Sequence, residues 1–388
     1  MSWPPLRPED DKPYNLRAGQ QPVIQRHAVP TLQLSNEVST PPSGAWRFGI
    51  EMELTLCPNV SALLGSQTYS NTLKGLLPAG GGSLSWSQVG RILEAMLRTA
   101  MGFTHQRPVA LGKSGTLDYS KWSIISDGSI SPAEGFYGFE IVSPVFTSQD
   151  NWQGELKTLW RLLRSFFSVQ ASPSCATHIH VSPGQGPWTA SQLALLAKCI
   201  VYFDPLIDAL VPEERRGSYY CRSNIFAEGV DRDLLKGFGH VFRRIDDLAK
   251  GGSLRNFVRY ISPERTHAWN FTNLEGNCGT VELRRPPMSR NLEEAIKWTK
   301  FAIAFVTSAT QRDLNRVLAP TGPTLSKFQG FILSSDITLE PLFADRVYHR
   351  QMTRVNPITF QEAALWKKKE DKKSVFTEKM KQAQQGGQ

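Results

Sequence analysis

A chain of 388 residues, 40% apolar and 20% charged, is long enough to bury one large core or two ordinary ones, and its composition is neither fibrous nor disordered. Lys and Arg outnumber Asp and Glu by 44 to 35, and the net charge of +9 favours anionic partners without choosing among phosphates, carboxylates and nucleic acid. Five cysteines, at 57, 175, 199, 221 and 278, form no CxxC pair and read as reduced thiols, so a cytoplasmic location is expected.

Residues 1–44 are rich in Pro, Gln and Ser and read as a flexible lead-in; the opening MSWPPLRPEDDKPYN has neither the basic nor the apolar region of a signal peptide. From Trp46 the pattern changes. WRFGIEMELTL alternates Phe48, Ile50, Met52 and Leu54 against Gly49, Glu51, Glu53 and Thr55, which predicts a half-buried strand. GLLPAGGGSLS is a loop, and Ser85 or Ser87 caps a helix to about Met101. KWSIISDGS predicts a strand and a turn, YGFEIVSPVF a strand stopped by Pro144, and residues 149–168 a helix. CATHIHVSP is the next strand, and a helix capped by Thr189 or Ser191 runs to about Leu210. The basic stretch 213–265 holds one short helix near 231–249 among loops. HAWNFTNL and GTVELRRP predict a strand pair across the turn in EGNCG, and a helix over 292–314 follows. A Lys-rich tail occupies 346–388. No run reaches the roughly 20 apolar residues of a membrane span, so no membrane association is expected. Strands and helices do not alternate as βαβ units, which predicts an α+β fold with a mainly antiparallel sheet in one domain over 45–345.

Three of these strands share a feature. Opposite an alternating apolar face, each carries two ionisable groups two residues apart: Glu51 and Glu53, His178 and His180, Glu282 and Arg284. Joined in one sheet, these polar faces meet, with Glu140 added from FEIV and Asp127 from SDGS. Crowded, partly buried carboxylates repel one another and persist when cations bind among them. Oxygen ligands with an imidazole suit Mg²⁺ or Mn²⁺ better than the thiolate-rich sets that select structural zinc. Arg284 offers a bidentate grip on a phosphate or carboxylate. Each pair alone has a plainer explanation as a solvated face, a cross-strand ion pair or a surface histidine pair; the joint pattern is what points to a site. Cys175 reads as an inert buried thiol beside it.

FGIEMEL, SDGSI, GFEIVSP, THIHVSP and GTVELRRPP, in this order, resemble the amidoligase family, carboxylate–amine ligases similar in fold and active-site layout to glutamine synthetase and glutamate–cysteine ligase. The resemblance covers about residues 46–315. It implies a glutamine-synthetase-like catalytic domain, a curved sheet with helices on one face, and ATP-dependent amide formation through an acyl phosphate with Mg²⁺ or Mn²⁺. It implies that Glu51, His178 and Glu282 hold the ion touching the transferred phosphate, and that Glu53, Glu140 and Asp127 surround the others. His180 resembles a contact to an ATP phosphate, and Arg284, with Arg285 beside it, the arginine at the transferring phosphoryl group; Glu282, His180 and Arg284 are the expected catalytic residues. The chain departs from the family in carrying Ala176 where a glycine usually precedes the histidine pair, and in the stretch 213–265, which matches no family motif. That stretch is expected to line a substrate pocket or form a lid, with Tyr219, Tyr220, Arg222 and Asn270 as candidate contacts to a small carboxylate or amine.

Other readings stay open. A metal-dependent hydrolase or oxygenase needs further ligands, for which His240 and His267 are the nearby candidates. A phosphotransferase on the same architecture consumes ATP without forming an amide. An RNA-binding protein uses the basic middle and the tail; a nucleic-acid partner is the less expected reading, since the tail alternates lysines with acids and presents no arginines interleaved with aromatics. Oligomeric state and the identity of the substrates are not encoded in any motif.

Overall fold

The computed structural model describes residues 46–337 apart from 74, 78–82, 103–108, 112–117, 217, 277, 311–317, 319–321 and 336. The expected lead-in through 44 and the tail from 346 lie outside the described residues.

The alternation in WRFGIEMELTL becomes β1 (Arg47–Pro58), the strand around which the rest is arranged. Two short helices, α1 (Val60–Leu64) and α2 (Ser70–Leu73), lead to α3 (Trp86–Gly102). Next come β2 (Val109–Leu111), β3 (Trp122–Ile125), β4 (Tyr137–Val142) and β5 (Phe146–Thr147). The expected helix is α4 (Trp152–Phe166), but its last residues convert directly into a strand, β6 (Phe167–Gln170), which pairs with the far end of β1 and covers its edge. The histidine strand is β7 (Thr177–Ser182). It is followed by α5 (Ala190–Ala209), whose Thr189 and Gln192 form a reciprocal capping box.

The middle stretch holds more helix than the sequence reading expects. It folds as α6 (Glu213–Arg216), α7 (Glu228–Leu234), α8 (Phe238–Lys250) and α9 (Leu254–Ile261). Gly237, at φ 98°, takes the left-handed backbone that separates α7 from α8, so the single expected helix is broken in two. The expected strand pair is β8 (Trp269–Asn270) and β9 (Val281–Leu283), and α10 (Leu292–Thr310) and α11 (Leu325–Leu333) close the fold.

The result is an α+β fold around a nine-stranded, mainly antiparallel sheet in the order β2-β3-β4-β1-β7-β9-β8, with β5 and β6 also paired to β1 and only β2–β3 parallel. One sheet face is apolar. Phe48, Ile50, Met52, Leu54, Ile141, Ile179, Val181 and Leu283 join a single buried cluster with Leu93 and Met96 of α3, Leu156 and Leu159 of α4, and Phe301 and Phe305 of α10. Helices therefore cover that face, and the strand period of two sends Glu51, Glu53, His178, His180 and Glu282 to the other. Helix α5 has the length and hydropathy of a membrane span, but 83% of that stretch is buried inside the protein and it carries Lys198, Asp204 and Asp208.

Candidate active site

Register brings the polar residues together. Glu51 on β1 stands opposite His178 on β7, His180 opposite Glu282 on β9, and Glu282 opposite Asn270 on β8. Glu53 stands opposite Glu140 on β4. Residues more than 200 positions apart in the chain thus form two adjacent rows on one face.

His178 is buried between three carboxylates: its Nδ1 lies 3.6 Å from Glu51 Oε2 and 3.5 Å from Glu282 Oε1, and its Nε2 lies 3.9 Å from Glu53 Oε1. Nδ1 is buried and makes no hydrogen bond. His180 Nε2 sits 3.1 Å from Glu51 Oε1 and 3.7 Å from Glu282 Oε1, without hydrogen-bond alignment, while its Nδ1 meets Thr280 Oγ1 at 3.0 Å and fixes the ring. Glu282 is held firmly: Oε2 accepts from Asn270 Nδ2 at 2.8 Å and Asn273 Nδ2 at 3.0 Å, and Oε1 accepts from Arg284 Nη1 at 2.5 Å. Glu53 Oε2 accepts the Ala176 backbone N–H at 2.7 Å. Asp127 accepts from the Ser129 N–H at 2.6 Å in the turn after β3.

The electrostatics are those of a crowded acid cluster. Burial and the neighbouring Glu51, Glu53 and Asp127 push the Glu140 carboxyl up to about 9. Burial also raises Glu53. Burial opposes charge on His180, but Glu51 and Glu282 outweigh it and lift the imidazole to about 9. Burial likewise works against Glu282, yet Arg284, His180 and His178 hold it down at about 2. Glu51 is lowered for the same reason, the two histidines overcoming its burial. At neutral pH the face therefore carries ionised Glu51 and Glu282 beside a protonated Glu140 and an imidazolium at His180.

One ligand atom from each of Glu51, His178 and Glu282 lies within 4.8 Å of the other two. Around an octahedral cation with bonds of ~2.1 Å, ligand atoms stand about 3.0 Å apart when adjacent and about 4.2 Å when opposite. The Nδ1 separations of 3.5 and 3.6 Å fall between those values, and the buried, unpartnered Nδ1 aimed between two carboxylates is what a ligating imidazole presents. The residues fit a hard divalent cation.

Not every expected residue reaches this face. Arg285, expected beside the nucleotide, is fully buried on the opposite side, where its guanidinium pairs with Asp204 and Asp208 of α5. The strand period explains it: Arg284 and Arg285 are adjacent and cannot share a face. Tyr220 contributes its carbonyl, which accepts from Arg284 Nε at 3.4 Å. Asn270 acts on Glu282, as above. Arg222 turns away and pairs with Glu264 at 2.9 Å. His240 is exposed beside Arg243, and His267 is buried against the Glu264 carbonyl, so neither extends the ligand set. Cys175 is buried, and its thiol is pushed up to about 12, as an inert thiol requires.

Three residues near the site escaped the sequence reading. Asn273 and Thr280 position Glu282 and His180; their spacing in a strand-linking turn was the available signal. Tyr119 is the third. Burial, then Cys278, Glu51 and Glu140, raise its phenol, and its hydroxyl lies 3.7 Å from the exposed Cys278 thiol. Nothing in the local sequence marks it.

The sheet and its face of carboxylates, imidazoles and arginine define an α+β protein with a cation-ready polar face. The chain belongs to the amidoligase family: a family model described as "putative amidoligase enzyme" matches residues 44–306, well over half of its length. No curated protein matches the sequence.

Proposed function

We propose that the protein is an ATP-dependent carboxylate–amine ligase of glutamine-synthetase-like fold, forming an amide between small molecules in the cytoplasm through an acyl phosphate. The observation that carries this reading is the convergence of Glu51, His178 and Glu282 beside His180 and Arg284 on one sheet face, within the matched family region.

Glu51, His178 and Glu282 hold one divalent ion, and Glu53, Glu140 and Asp127 the remainder. Bound there, Mg²⁺ or Mn²⁺ supplies charge neutralisation at the transferring phosphoryl group. The chain's own groups do the rest. His180, charged at neutral pH, binds a phosphate oxygen of ATP. Arg284, anchored by Glu282 and the Tyr220 carbonyl, faces the negative charge that develops as the carboxylate oxygen takes up the γ-phosphoryl group and ADP leaves. The amine then attacks the acyl phosphate carbon, the C–O bond to phosphate breaks, and the amine's proton is lost to a nearby carboxylate or water.

The test is an ADP-release screen of paired amines and carboxylic acids with Mg²⁺ or Mn²⁺, read by mass spectrometry. Equimolar ADP, phosphate and amide support the reading. ADP with a stable phosphorylated product would instead identify a phosphotransferase.

Cation binding also has a proton signature. Glu140 keeps its proton up to pH about 9, and a ligating carboxylate must shed it. Mn²⁺ binding at pH 7–8 should release about one proton from this carboxyl. The release should vanish above pH 9, where the proton is already gone, and affinity should rise as pH approaches that value. Calorimetry in buffers of different ionisation enthalpy measures it; equal release from wild type and Glu140→Gln would remove Glu140 from the ligand set.

A further inference from the structure

Residues of 222–267, within the matched family region, line a pocket of about 660 Å³ between α7, α8 and α9. None of Glu51, Glu53, His178, His180, Glu282 and Arg284 lines it. Its buried lining includes Arg222 and His267, and Arg232, Arg244 and Arg259 are exposed around it.

The arginines carry more charge than the cavity cancels. Two carboxylates, Glu228 and Glu264, accompany the four arginines. Arg222 uses Nη2 on Glu264 Oε2 at 2.9 Å and Thr266 Oγ1 at 3.1 Å, yet its buried Nε has no partner. Arg232, Arg244 and Arg259 make no ion pair to a carboxylate among the described residues. A side chain that is 94% buried, since Arg222 is 6% exposed, leaves a donor unsatisfied only at a cost, unless a ligand meets it. Burial and Arg222 push His267 down to about 4, so its ring is neutral and adds no positive charge. The cavity volume falls within the roughly 300–1,000 Å³ of small-molecule sites.

We propose that this cavity is a binding site for a small multivalent anion, a phosphate- or carboxylate-bearing molecule, held by Arg222 from within and by Arg232, Arg244 and Arg259 around it. Guanidinium forks match both oxyanions bidentately. The site is separate from the acid–imidazole face and stands whether or not that face ligates amines. It is nevertheless wired to it through the backbone: the Ala268 N–H donates to the Arg222 carbonyl at 2.6 Å, and the Arg284 N–H donates to the Ala268 carbonyl at 2.8 Å.

Calorimetry of the full chain in metal-free buffer, with inorganic phosphate and separately with citrate, tests the proposal. Saturable one-site binding of either probe is expected, weakened at least about tenfold in Arg244→Ala/Arg259→Ala and unchanged in Glu51→Gln. Binding of phosphate alone assigns the site to phosphoryl ligands, and binding of citrate alone to polycarboxylates. Both substituted arginines are exposed, so loss of binding with an unchanged melting curve reports the site and not the fold. No saturable binding of either probe, binding that survives the double substitution, or binding lost in Glu51→Gln would each overturn the proposal.

Discussion

Glu282→Gln is expected to lower metal-dependent ADP formation by on the order of 10²–10³-fold in kcat while leaving the protein folded. Glu282 is the residue on which the site converges. It lies 3.5 Å from His178 and 3.7 Å from His180, takes hydrogen bonds from two asparagines, and anchors Arg284. Glutamine keeps the shape and can still accept from Asn270, so the turn carrying Asn270 and Asn273 stays in place. It removes one of the two strongly ionised carboxylates beside His178 and with it the ligand charge. Arg284 retains Glu51 and Glu53 as nearby counter-charges, so its burial is not left uncompensated. Turnover within tenfold of wild type would sink the assignment of Glu282 as a ligand, whatever the melting curve shows.

The second large effect is structural. Arg285→Met should destabilise the fold by about 3–5 kcal/mol, because it leaves Asp204 and Asp208 as uncompensated buried charges. Both carboxyls already sit above their ordinary range: burial raises Asp204, and raises Asp208 to about 6, despite the guanidinium beside them. Converting both aspartates to asparagine in the Arg285→Met background should recover much of the loss, since a neutral cluster needs no cation. Urea unfolding of the single and triple variants makes the comparison; a single variant within 1 kcal/mol of wild type would show the cluster to be dispensable. The cluster matters to the site because Arg215 Nη2 donates to the Arg284 carbonyl at 2.8 Å and Arg285 ties the same strand end to α5. Together they fix the backbone from which the Arg284 side chain projects.

Much of this was legible in the chain because the polar residues lie on strands. Alternation with a period of two is a strong signal over about 4–8 residues, and β1, β4 and β7 all carry it. It placed the acids and histidines on one face before any register was known. The same rule should have excluded Arg285, which follows Arg284 directly and must point the other way. β6 was hidden because Phe166 and Phe167 continue the apolar pattern of α4, and only pairing with β1 decides where helix gives way to strand. The helices of 213–265 were read only in part for another reason: Phe238, Val241, Phe242 and Ile245 give α8 a clear apolar stripe, but Gly237 breaks the period between α7 and α8, and α9 spans only Leu254–Ile261. Arg222 sits in that stretch with no periodicity to orient it. Tyr119 reaches the site from a loop, where no pattern links sequence to direction.

The central claim is that a carboxylate is activated by phosphoryl transfer on this face. With an acid and amine pair found by the ADP-release screen, the acid labelled with ¹⁸O in its carboxyl group tests it directly. One labelled oxygen should appear in the inorganic phosphate for each ADP formed, because the acyl phosphate breaks between carbon and the oxygen it received from the substrate. Amide and ADP formed together with unlabelled phosphate would contradict the account.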